Sequence, residues 1–155
     1  MKLKKIEYRQ FAFTLTHFAA TIALVLSGFL FSDLAMAQTK VVYHIDDAQT
    51  QALKGLRNIR NHLDASPKTK IIVVTHSAGI DMLLEGSIDE KSGIQYAPLI
   101  AALKSRGVDF EACEITLKNR GLSKNQFILD ADFTPSGVVR IADLQYQSHY
   151  AYIKP

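Results

Sequence analysis

The 155 residues contain a single cysteine, Cys113. No disulfide can therefore close within the chain, and in an oxidising compartment a lone cysteine is either buried and inert, cross-linked to a second chain, or kept as a reactive thiol. Other features are missing as well. Beyond residue 37 no run of basic residues is interleaved with aromatics, which removes the usual footprint of a nucleic-acid binder. There is no internal repeat and no Pro/Gly/Ser-rich linker, so neither a solenoid nor a division into two domains is indicated after residue 37. No compact metal motif stands out either: His44, His76 and Cys113 are separated by 32 and 37 residues.

The N-terminus is built differently from the rest. Lys2, Lys4, Lys5 and Arg9 precede an apolar run from Phe11 to Phe31, and Ala35-Met36-Ala37 places small residues where a signal peptidase reads them. This is the layout of a secretory signal peptide over residues 1–37, with cleavage expected after Ala37; the alternative is an uncleaved membrane anchor. Cleavage leaves 118 residues with 14 basic and 13 acidic side chains, so most of the excess basic charge belongs to the signal. The expected product is one periplasmic or secreted domain, residues 38–155, with no membrane contact after cleavage and no nucleic-acid partner.

Hydrophobic patterning along that domain alternates between two periods. Lys40–Ile45 reads as a strand, and Ala48, Ala52, Leu53, Leu56, Ile59 and Leu63 form a helical stripe with Asp46 or Asp47 as N-cap. Lys70–Thr75 is a continuous apolar strand of the kind buried on both faces of a parallel sheet. Ile80–Leu84 is a short apolar piece running into a polar loop, and Pro98 marks the start of a helix ending at Arg106, with Gly107 beyond it. Val108–Cys113 is a third strand and Glu114–Arg120 a short helix stopped by Gly121, after which Ser123 can cap a further turn. Leu129–Phe133 is a fourth strand, Gly137 to Gln147 a helix capped by Ser136 with Val138, Ile141, Ala142 and Leu144 inward, and Tyr150–Lys154 a fifth strand. The order gives an α/β class: a three-layer α/β/α sandwich on a mostly parallel sheet of about five strands.

One stretch invites a hydrolase reading. Thr75-His76-Ser77-Ala78-Gly79 is one residue short of G-x-S-x-G, the nucleophile elbow, and Asp143 and His149 follow in the order of the α/β-hydrolase triad. Against it, Thr75 replaces the first glycine, Asp143 falls inside the last helix, and 118 residues leave little room for a hydrolase sheet. Ser77 is expected to serve turn chemistry instead.

The carboxyl ends of parallel strands are where ligands bind in open α/β sheets. Those ends carry His44 and Asp46, then His76 and Ser77, then Cys113. If the three strands are neighbours, these side chains share a crevice. Cys113 precedes a helix whose free N–H groups favour a thiolate, and an imidazole from His76 or His44 could add to that while Glu114 opposes it; equally, a free cysteine can fill a strand–helix junction as a small hydrophobe. The two histidines and a thiolate would also make a passable soft-metal site for copper or zinc, although either histidine can be a structural hydrogen-bonder. His62 and His149 are assigned no role.

The residues together resemble the DsrE/DsrF-like family. The resemblance is carried by Val41–Asp47, by Ala52-Leu53 through Asn58-Ile59 to His62-Leu63, by Ile71–His76 with Gly79-Ile80-Asp81, by Phe110–Cys113 with Thr116-Leu117 and Arg120-Gly121, by Thr134–Val139, and by the ending Tyr150–Pro155. It spans Lys40 to the C-terminus and is nearest the exported branch of the family. It implies a flavodoxin-like sandwich and a homo-oligomer, a trimer or hexamer. In better-known relatives a cysteine at the position of Cys113 carries sulfur as a persulfide between donor and acceptor proteins; those relatives work in the cytoplasm, whereas this chain carries an export signal. The resulting expectation is an exported sulfur carrier or thiol-redox module acting through Cys113, supported by His76, His44, Asp46 and Ser77, without a bound cofactor or resident metal. The alternative is a non-catalytic periplasmic protein of the same fold that binds a metal or small ligand.

Overall fold

The computed structural model describes residues 38–155; the expected signal peptide and its cleavage site lie outside the described residues. Five strands, β1 (Lys40–Asp47), β2 (Lys70–Ala78), β3 (Asp109–Cys113), β4 (Ala131–Thr134) and β5 (Ala151–Ile153), form one sheet in the order β4-β3-β2-β1-β5. Every pairing is parallel, so the sheet is wholly rather than mostly parallel. Four helices connect the strands: α1 (Leu53–Ala65), α2 (Tyr96–Lys104), α3 (Glu114–Arg120) and α4 (Gly137–Tyr146).

The layering follows from connection handedness. Parallel crossovers are right-handed, so the three steps from β1 to β4, all in one direction, put their helices on one face. The return from β4 to β5 runs the opposite way and puts α4 alone on the other face. The core divides accordingly. Val41, Tyr43, Ile45, Ile71, Val73 and Phe110 pack with Leu56, Ile59 and Leu63 of α1, Ile100 and Leu103 of α2 and Leu117 of α3. On the other face only Val42, Ile72, Val74, Ile141 and Leu144 form a buried cluster. Each of these aliphatic side chains contributes about 1.5–3 kcal/mol by leaving water, so the first face holds most of the fold's hydrophobic stabilisation.

Local chemistry sets most boundaries. Asp47 accepts the Thr50 N–H at 2.8 Å and caps a π-helical turn, Ala48–Ala52, that leads into α1. Gly107 and Gly121 end α2 and α3 at φ +85° and +64°, where a side chain would be strained. α2 begins at Tyr96, so Pro98 sits inside the first turn rather than at its first position, where its missing N–H still costs no helical bond.

Two inward positions expected for α4 are exposed: Val138 (65 %) and Ala142. The buried face runs instead through Gly137, Ile141 and Leu144, with Arg140 beside it. The helix begins hard against the sheet at a glycine, and Arg140 lies along the edge of that buried face because it pairs with Glu111 of β3. Leu129, expected in the fourth strand, precedes it and is fully exposed.

The elbow-like letters have structural causes. β2 carries a bulge: Ile45 pairs with Thr75 and Asp47 with Ala78, so His76 and Ser77 together oppose Asp46. Ser77 adopts φ +50°, a left-handed conformation uncommon for serine. Gly79 opens a 3₁₀ turn, Gly79–Leu83, and a Cβ there would lie 2.0 Å from the Ile45 carbonyl oxygen, so only glycine fits.

Candidate functional site

Alternation along the strands decides which side chains meet. The parity that points Val42 and Val74 at α4 also points His44, Asp46, His76 and Cys113 to that face. β1, β2 and β3 are consecutive neighbours, so all four project from adjacent strand ends on the lightly covered side. A surface cleft of about 140 Å³ between α1 and α2 lies on the opposite face and touches none of them.

The histidines face each other. His44 Nε2 and His76 Nε2 are 2.7 Å apart, His44 Nδ1 is 2.7 Å from the Tyr152 hydroxyl, and His76 Nδ1 is 2.9 Å from Ser77 Oγ. The result is a continuous chain, Ser77–His76–His44–Tyr152, across β2, β1 and β5. Burial and then the neighbouring His76 hold the His44 imidazole below its ordinary pKa, against the pull of the Asp46 carboxylate. Asp46 does not bond to either ring. It takes Lys154 at 2.7 Å and the Gln51 side-chain amide at 2.6 Å, and these bonds, the lysine's first, hold its carboxyl below the usual range.

Cys113 ends β3 and is 5 % exposed. No hydrogen bond joins its sulfur to either imidazole. Burial raises the thiol's pKa, but the backbone N–H groups of Gly137, Thr116 and Ile115 and the Thr116 hydroxyl outweigh it, and the net shift is downward. These donors come from two helices: Ile115 and Thr116 open α3, and Gly137 opens α4. Ser77 reaches the same region through its backbone, its N–H donating to Thr116 Oγ1 at 3.2 Å.

Gly137 is the wedge between the two halves of the site. A Cβ on it would sit 3.2 Å from the His76 Cβ and 3.3 Å from the Cys113 Cβ, so its bareness lets α4 start against both. Farther along α4, Arg140 holds the helix to β3: its Nε and one terminal nitrogen each donate to a Glu111 carboxylate oxygen at 2.8 Å, and Glu111 is only 8 % exposed.

Asp143 and His149 make no hydrogen bond to Ser77. Asp143 lies within α4 and accepts from Gln147, and His149 is exposed. Among the described residues no group of three or more His, Cys, Asp and Glu side chains is disposed to hold a metal ion, and no helix is long and apolar enough to cross a membrane. Tyr152, Thr116, Gly137 and the Glu111–Arg140 pair were not singled out from the sequence as site residues. Strand parity could have paired Tyr152 with His44, but only once β5 was known to lie beside β1.

A model of the DsrE/DsrF-like family matches residues 9–155, and the chain belongs to that family. It is similar to the protein of unknown function MTH1491 from Methanobacterium thermoautotrophicum, with 30% identity and a TM-score of 0.68 over 76% of this chain and 100% of that one. It is also similar to the ychN protein from E. coli, with 16% identity and a TM-score of 0.59 over 76% of this chain and 99% of that one; that likeness speaks to the fold alone. No match was found among curated proteins. The family is associated with sulfur relay and transfer.

Proposed function

We propose that this DsrE/DsrF-like protein is an exported sulfur-transfer module in which Cys113 carries sulfur as a persulfide. The observation that carries this reading is the placement of the sulfur, a thiol at a strand end that leads directly into α3 and lies against Gly137 at the start of α4, where backbone N–H groups hold its pKa below the ordinary thiol value. Such donors favour the thiolate and serve a terminal persulfide anion in the same way. The Cys113 thiolate attacks the outer sulfur of a persulfide or polysulfide donor. A new S–S bond forms at Cys113, the donor's S–S bond breaks, and the donor leaves as a thiolate. An acceptor thiolate then attacks the outer sulfur and regenerates Cys113, so the cycle needs no external oxidant or reductant.

Two accompanying proposals concern place and assembly. The basic, apolar and Ala-x-Ala segments of residues 1–37 support export with cleavage after Ala37. Exposed apolar side chains, Leu129, Val138, Val139 and Ile115 among them, support burial against further copies of the chain in a homo-oligomer.

The test is the intact mass of the purified protein before and after incubation with inorganic polysulfide, beside Cys113→Ser. A small donor is used because the thiol is almost wholly buried. Mass gained in whole sulfur atoms, removed by reductant and absent from the variant, is the expected outcome. A folded protein with a free thiol that gains no mass would overturn the proposal.

A further inference from the structure

Two imidazole nitrogens at 2.7 Å need something between them. Each Nε2 presents either a hydrogen or a lone pair, so the contact is favourable only when one ring donates or when a cation sits between two lone pairs. The outer nitrogens bear on which case applies. Both Nδ1 atoms are met by hydroxyl oxygens, Tyr152 on His44 and Ser77 on His76. When each Nδ1–H donates to its hydroxyl, both Nε2 atoms turn lone pairs toward one point. An outer-sphere hydrogen bond that fixes the tautomer in this way is the usual support of a metal-bound histidine.

The backbone is shaped to keep this arrangement. The β2 bulge falls at His76 and Ser77, and the left-handed φ of Ser77 accompanies the return of its hydroxyl to the ring of the preceding residue. Bulges and unusual backbone angles of this kind gather at functional sites. The pair is half-buried at the carboxyl end of the sheet, so an ion can reach it and keep open coordination positions.

We propose that His44 and His76 form a two-histidine site for a borderline divalent cation of the zinc class, with Tyr152 and Ser77 as its outer shell. Imidazole suits such ions. With Zn–N bonds of about 2.0–2.1 Å at a tetrahedral angle, the nitrogens must stand roughly 3.3 Å apart, so the rings part by about 0.6 Å. Small side-chain rotations supply that, and solvent or an exogenous ligand fills the remaining positions. The site is independent of sulfur transfer, because Cys113 is not a ligand.

The experiment titrates the chelator-stripped full chain with zinc chloride by calorimetry, with Co²⁺ absorption as a second readout. One ion per chain is expected. His44→Gln and His76→Gln should each abolish that binding, and Cys113→Ser should retain it without change in the Co²⁺ spectrum. Tyr152→Phe, at an exposed position, should weaken binding by about 10-fold through loss of the outer-shell hydroxyl. Circular dichroism checks each variant's fold, and the tyrosine variant decides the outcome if a histidine variant fails to fold. No binding by the unaltered chain, binding that survives in folded histidine variants, or binding lost in Cys113→Ser would each overturn the site. In the first case the two rings share a proton and nothing more.

Discussion

The two faces of the sheet are built to different standards. The face under α1, α2 and α3 is a broad, mostly apolar layer in which the largest side chains are fully buried. The face under α4 has five buried aliphatic residues, and toward the strand ends it turns to His44, Asp46, His76 and Cys113. One face can therefore supply stability while the other tolerates polar and ionisable groups that a continuous core would exclude. The division follows from topology: three crossovers in one direction leave the second face to a single helix.

Truncating the well-covered face is the sharpest way to test that division. Ile59→Ala, at a fully buried position in α1, should cost about 2–5 kcal/mol in denaturant unfolding, while any folded protein keeps Cys113 reactive toward a small alkylating agent. Leu144→Ala on the other face should cost less, because fewer neighbours surround the cavity, yet should raise the pH midpoint of Cys113 alkylation by loosening α4. Equal effects of the two substitutions on both readouts would dissolve the distinction.

An intermediate effect is expected from Arg140→Met. It strands the Glu111 carboxylate, but Arg140 is partly exposed, so the loss should be on the order of 2 kcal/mol, less than for a fully buried pair. Because the pair holds the helix whose first N–H faces the sulfur, the pH profile of Cys113 alkylation should also move upward. A stability loss with an unmoved profile would show that the ion pair only holds the helix on.

The smallest effect is that of pH on the unaltered protein. The folded state holds the Cys113 thiol below its ordinary pKa. This group therefore contributes stability that is fully present above the ordinary thiol pKa and is lost as pH falls through the lowered folded value. The alkylation rate should accordingly remain high at a pH where a free thiol has become unreactive. A midpoint at or above that of a free thiol would remove the electrostatic support for Cys113.

Much of the frame was legible because it is written in local chemistry. The run Ile71–Val74 could be assigned to a doubly covered strand since a half-exposed one would need polar residues every second position. Gly107 and Gly121 mark helix ends because they adopt backbone angles that side chains resist. The inward face of α4 is not legible, for the converse reason. Val138 looks apolar in the sequence, but the position is set by a glycine wedge and an arginine tether, neither of which registers in a hydrophobic period.

The site divides in the same way. The presence of His44, Asp46, His76 and Cys113 at strand ends could be read from the chain, because parity and strand limits are short-range properties. Their partners could not. Tyr152 is 108 residues from His44, and the N–H of Gly137 reaches Cys113 only through the placement of α4. The sequence by itself determined a parallel α/β domain, its helix stops and the placement of two histidines and a cysteine at strand ends, since these follow from side-chain period and backbone preference. Sheet order and the return crossover decided that the imidazoles would face each other and that two helix starts would meet at one thiol, because contacts between distant segments exist only after the chain has closed on itself.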